Sequence, residues 1–153
     1  MATTTNLGLA KINPSDYISP EPINAAFDIL DRLGVDYVVE QGKSGEWWYR
    51  KWNSGRAECG IDNKSFGDIN HESAWGGMYR SDQKSFGNYP FAFASRPFTI
   101  ISFQSTSNGS HSSYVAQSNT QSVTEAPKFF LIDPNSGTAL GATLGIYVCG
   151  RYK

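Results

Sequence analysis

The chain has 153 residues, a formal net charge of -1 and only 18% charged residues, against about a quarter in ordinary domains. That length suits a single domain able to bury its own core. The basic residues are scattered, which excludes the basic face a nucleic-acid binder needs. No apolar run approaches the roughly 20 residues that cross a bilayer, and the first residues lack the basic and apolar regions of a secretion signal. Aromatics at 14%, with abundant Gly, Ser, Asn and Thr, predict a mainly β protein with many turns.

Residues 1–19 are polar and carry Pro14, with too few apolar residues to pack alone. They read as an N-terminal arm, a disordered terminus on composition alone. A short helix is predicted over 20–34. Ser19 suits the N-cap, Pro20 the first helical position, Glu21 the positive helix end and Gly34 the C-terminal turn. Ile23, Phe27, Leu30 and Leu33 share one face. Such a helix is some 20 Å long, too short to hold a coiled coil by itself.

The densest stretch, 35–62, reads as three strands and two turns. Val35, Tyr37 and Val39 alternate with Asp36 and Glu40, the pattern of a half-buried strand. Gly42, Ser44 and Gly45 mark the first turn. Residues 46–52 carry large side chains on both faces, so this strand is expected to be covered on both sides. Its Trp cluster is either core or a sugar-stacking platform. Asn53-Ser54-Gly55 is a three-residue hairpin connection with Gly at the left-handed position, and 56–60 return antiparallel.

Residues 62–87 are polar and glycine-rich and read as loops with short strands, with Phe66, Ile69, Trp75, Met78, Tyr79 and Phe86 as inward anchors. His71 beside Glu72, and Asp62, Asp68 and Glu72, invite a catalytic reading, but no catalytic motif accompanies them and solvated carboxylates are the plainer reading. Residues 91–103 are strand-like, with Pro90 and Pro97 at the margins. The polar stretch 105–122 reads as two strand pieces around an exposed loop, 128–133 as a buried strand and 134–137 as a turn. The last strand places Ile146, Val148 and Tyr152 on one face and Tyr147, Cys149 and Arg151 on the other. Cys59 and Cys149 stand far apart in sequence, each in a predicted strand, and read as buried thiols with a disulfide as the alternative. There is no metal-ligating cluster and no Gly-rich phosphate loop, so neither metal nor cofactor is expected.

The motif VEQG-x-SG-x-W-x-YRKWNSG-x-AEC at 39–59 resembles the opening of the C-terminal head domain of tail-fibre and minor tail proteins of phages and prophages. Asn88-Tyr89-Pro90-Phe91-Ala92-Phe93 resembles the same family, as do the closing residues 145–153 and Thr4-Thr5-Asn6-Leu7-Gly8-Leu9 at the N-terminus. The family often has Trp after the Cys of its first hairpin, where Gly60 stands here, and 61–87 have no clear counterpart. The resemblance implies an N-terminal attachment arm (1–19), a neck helix (20–34) and an antiparallel β-sandwich head (35–153), assembled as a homotrimer.

The same resemblance implies a virion structural protein, assembled in the bacterial cytoplasm, at the tail tip or a related fibre and not an enzyme. The arm would meet other tail or baseplate proteins and the head a host-surface glycan or protein. A decoration or plug protein without a ligand is the alternative, and a glycan-degrading enzyme a third. Sugar recognition needs aromatic faces and short polar groups. Asn108, His111 and Tyr114 offer these in the polar loop, and Trp75, Tyr79 and Arg80 form a second candidate patch.

Overall fold

The computed structural model describes residues 36–106, 113–118 and 122–153. The arm at 1–19 and the helix expected over 20–34 lie outside the described residues, as do Asn108 and His111. The described residues fall within the compact unit Asp36–Lys153, and among them the regular elements are all strands. These are β1 (Val38–Ser44), β2 (Trp47–Trp52), β3 (Arg56–His71), β4 (Ser73–Trp75), β5 (Met78–Arg80), β6 (Phe98–Gln104), β7 (Tyr114–Gln117), β8 (Phe129–Asp133) and β9 (Gly137–Arg151). They form two antiparallel sheets, ordered β1-β2-β3-β9-β6 and β4-β5-β8-β7. The mainly β, antiparallel architecture expected from the sequence is the one adopted.

The frame is the ribbon of β3 and β9, paired from Arg56 opposite Arg151 to His71 opposite Gly137. Its 16-residue strand β3 extends roughly 50 Å at about 3.3 Å per residue. This corrects the expectation of loops with short strands over 62–87, since 62–71 continue the strand. Register shifts at Ile61/Lys64, Ser65/Gly67 and Gly67/Ile69 each displace the in-out alternation, so a bulged strand loses the period-2 signature that identifies it.

One side of the ribbon carries the core. At one end Ala57, Cys59, Ile61, Ile146 and Val148 meet Trp47, Tyr89 and Phe93; at the other Ile69, Ala139, Ala142 and Leu144 meet Phe86, Phe129 and Leu131. The rings interlock edge to face, with Trp47 and Tyr89 centroids 5.7 Å apart and Phe66 and Phe129 5.2 Å apart. Since Phe129 and Leu131 come from the smaller sheet, the two sheets share this core. Of the inward anchors expected in 62–87, Ile69 and Phe86 are buried, while Trp75 is 48% exposed. Residues 91–97, expected in a strand, are irregular; Phe93 is nevertheless buried, and Phe93 N donates to Val123 O and Ala94 N to Arg151 O. Pro90 and Pro97 lack the N–H a ladder requires.

Strand β1 departs from expectation. It is exposed along its whole length, not half-buried, because it is an edge strand with a bulge between Val38 and Glu40. Gly42 lies inside it, opposite Tyr49, and the turn falls at Gly45 and Glu46. In β2, Trp47 enters the core, whereas the Trp48 ring lies on the outer face over Gly60, where a Cβ would stand 2.7 Å from it. The cysteines are both free. Cys59 stands opposite Val148 and Cys149 opposite Glu58, so their side chains emerge on opposite faces of the ribbon and the alternative of a disulfide falls.

Three segments meet at the β2–β3 turn. Asp36 accepts hydrogen bonds from Ser54 N and Ser54 Oγ, and Asn53 N donates to Tyr37 O. From the chain's last residues, Tyr152 N donates to Gly55 O and Arg151 Nη2 to Ser54 O. Residue 36 and the C-terminal residues therefore share one end of the ribbon. Strand β4 begins just past the opposite end, where His71 faces Gly137.

Candidate functional site: the outer face of the four-stranded sheet

Strand β8 sets the two faces of the smaller sheet. Phe129, Leu131 and Asp133 are buried while Phe130 and Ile132 are half-exposed, so its even-numbered residues look outward. Pairing carries that orientation across the sheet. Ser73 stands opposite Arg80, Arg80 opposite Ile132 and Ile132 opposite Tyr114, so one outward row crosses all four strands. Trp75, two residues beyond Ser73, shares this face and meets Phe130 edge to face, their centroids 5.9 Å apart.

The Arg80 guanidinium lies 5.9 Å from the Trp75 ring centroid and 5.8 Å from that of Phe130, within cation–π range. Tyr114 is 62% exposed and Trp75 48%, leaving ring surface free to a ligand. The two patches inferred separately from sequence thus supply one face through Trp75, Arg80 and Tyr114. Tyr79 is not on it. It pairs with the buried Asp133 and so points to the other side. Phe130 and Ile132 escaped sequence reading because Phe129-Phe130-Leu131-Ile132 is an unbroken apolar run, which conceals which side is covered.

Beneath the face lies a buried polar cluster. His71 and Asp133 are fully buried, with His71 Nε2 and Asp133 Oδ2 3.8 Å apart. Ser113 Oγ donates to Asp133 Oδ2 and Asn135 N to Asp133 Oδ1, each at 2.9 Å. Leu131 N donates to Ser81 Oγ at 3.0 Å. Asp133 therefore ties the start of β7 and the β8–β9 turn to the sheet, a carboxylate satisfied by hydrogen bonds as burial demands.

The groups that invited a catalytic reading have other surroundings. Asp62 Oδ1 accepts a hydrogen bond from Trp48 Nε1 at 2.9 Å and Asp68 Oδ1 accepts one from Gly141 N at 2.8 Å. His71 is enclosed, and Glu72 beside it is exposed. Among the described residues, no group of three or more His, Cys, Asp and Glu side chains is placed to hold a metal ion.

The outer face of the five-stranded sheet has its own depression of about 220 Å³, lined by Trp48, Asp62, Ile100, Ser102 and Tyr147 among others. Tyr147 donates to Glu58 Oε2 at 2.6 Å, and this bond, with burial, pushes the phenol up to about 12. The depression is smaller than the roughly 300–1,000 Å³ of ordinary ligand pockets.

The fold is one found in tail fibres. Two solved structures share it: an N-truncated R1-type pyocin tail fibre and a C-terminal fragment of the R1 pyocin fibre of P. aeruginosa. The first matches over 82% of this chain and 95% of its own with a TM-score of 0.51, and the second over 92% of this chain and 39% of its own with a TM-score of 0.52. This chain thus corresponds to well under half of the second fragment. Each is 14% identical to it, so the likeness is one of fold. No protein-family model matches the chain, and no curated protein does.

Proposed function

We propose that the chain is a virion structural protein of the tail-fibre type, a homotrimer whose head contacts a glycan or protein on the host surface. The observation that carries this reading is the exposed aromatic and cationic face of Trp75, Arg80, Phe130 and Tyr114, on a fold shared with pyocin tail fibres. Exposed rings offer stacking area at low entropic cost, and a guanidinium adds directed hydrogen bonds. The site's place supports the same assignment. Residue 36 lies at one end of the ribbon and β4 follows the other, so a head held from its N-terminal side presents this sheet outward.

Trimer assembly accords with the apolar side chains left uncovered on one face of β6 in the larger sheet, Phe98 at 61% and Ile100 at 52% exposure, which a neighbouring copy would cover. The arm at 1–19 would dock on tail or baseplate proteins. A decoration protein without a ligand is the rival.

Adsorption separates the two. The purified full chain should bind host cells, and Trp75→Ala with Tyr114→Ala should lose that binding while melting temperature and oligomer mass stay unchanged. Full adsorption by the folded double variant would rule out this face as the host contact, and absence of wild-type adsorption would favour the decoration reading.

A further inference from the structure

We propose that the outer face of the four-stranded sheet selects a carboxylate-bearing saccharide, with Arg80 pairing to the carboxylate and Trp75 and Tyr114 flanking the sugar ring. This rests on the host-binding reading and specifies the chemistry of its ligand. Arg80 is the decisive residue. Both neighbouring rings stand within 6 Å of its guanidinium carbon, yet among the described residues no carboxylate forms an ion pair with it. Glu72 precedes β4 and Asp82 follows β5, and neither pairs with it. Three other described cations do have acidic partners, Arg50 with Glu58, Lys51 with Glu40 and Lys64 with Glu46; what sets Arg80 apart from the remaining cations without an ion pair is the pair of rings beside it on an exposed face.

Rings beside a guanidinium reduce the rotamer freedom it would lose on binding, and the exposed Arg80 keeps its planar fork of N–H donors accessible to a ligand. That edge matches a carboxylate through two parallel hydrogen bonds. A single guanidinium balances a single carboxylate charge; a phosphate monoester would retain excess charge. The sugar ring is held by the surfaces beside it. Tyr114 stands on the row that includes Arg80, with Ile132 between them, and Ser73, opposite Arg80 on its other side, adds a hydroxyl for hydrogen bonding. A neutral sugar would have the rings but would leave Arg80 unanswered.

The test uses the isotope-labelled full chain and solution NMR of the Arg80 Nε and Trp75 Nε1 signals, with glucuronate, glucose, glucose 6-phosphate and acetate as probes. Glucuronate should move both signals and bind about tenfold more tightly than glucose, the effect of one charge-assisted contact. Arg80→Gln should abolish that preference, and Arg80→Lys, which keeps the charge but loses the fork, should not restore it. Equal binding of glucose, tighter binding of glucose 6-phosphate, or the same shifts with acetate alone would each overturn the proposal. So would an absence of shifts with every probe. Should these failures accompany host adsorption that still depends on Trp75 and Tyr114, the host-binding reading stands without an acidic ligand. Conversely, glucuronate binding at Arg80 with adsorption independent of this face would leave the saccharide site and remove its role on the host.

Discussion

At the scale of single residues, Gly55 shows how far a turn can be reasoned from sequence. Its φ is 87°, the left-handed value that the Asn53-Ser54-Gly55 connection demands, and an added Cβ would stand 2.9 Å from Lys153 O. Gly55→Val should cost roughly 1 to 3 kcal/mol from backbone strain, and more than Gly45→Val, where φ is 61° but nothing lies within 4 Å of the added carbon. Urea unfolding of the two variants checks the order. The Lys153 contact was not legible, because it joins positions far apart in sequence. Acid–base behaviour follows from burial in the same way. Burial pushes the Cys59 thiol from 9.0 up to about 12, and Tyr89 and Tyr147 rise from 10.0 to about 12, Tyr89 chiefly by burial and Tyr147 by its bond to Glu58. Each of these groups holds its proton more tightly in the folded chain. Their contribution is complete below pH 9 and is lost as pH climbs towards 12. The urea midpoint should therefore fall steadily above pH 9, less steeply in Cys59→Ala; a midpoint constant from pH 9 to 11 would contradict these shifts.

At the scale of elements, short regular strands were readable and bulged ones were not. The outermost part of β9 was legible because Ile146 and Val148 are buried while Tyr147 and Cys149 alternate with them outward. The continuation of β3 was hidden by three register shifts, and the outer face of β8 by its unbroken apolar run. Trp75, Arg80 and Tyr114 could be nominated from residue type, but their convergence depends on pairing between β4, β5, β8 and β7, which no local pattern encodes. Edge strand β1 is secured by contacts equally remote. The Lys51 ammonium lies 2.8 Å from Glu40 Oε2 and 4.9 Å from the Phe91 ring centroid, with Tyr152 and Tyr49 at 5.5 and 5.6 Å. Lys51→Met keeps the stem and removes the charge, and should destabilise the head by about 1 to 2 kcal/mol. Calorimetry reads this as a lowered Tm, and an unchanged Tm would show that the rings and Glu40 add nothing beyond the stem's packing.

At the scale of the whole molecule, the ribbon gives the head a direction. Asp36 and the C-terminal residues share its one end, and the Trp75–Arg80–Tyr114 face belongs to the sheet that begins beyond the other. Light scattering on the full chain should return three times the mass of one chain, and a monomer at micromolar concentration would contradict the assembly. Deleting residues 1–19 should leave the head folded, since few apolar groups go with them, but abolish incorporation into particles. Whether this head stands on a virion with its smaller sheet towards the host is decided by a cryo-electron microscopy reconstruction of the particle that carries this chain. Threefold heads are expected at the tail tip or fibre end, with Asp36 towards the particle and the β4-β5-β8-β7 sheet outward. Density on the capsid shell, or heads with that sheet turned inward against their support, would contradict the assignment.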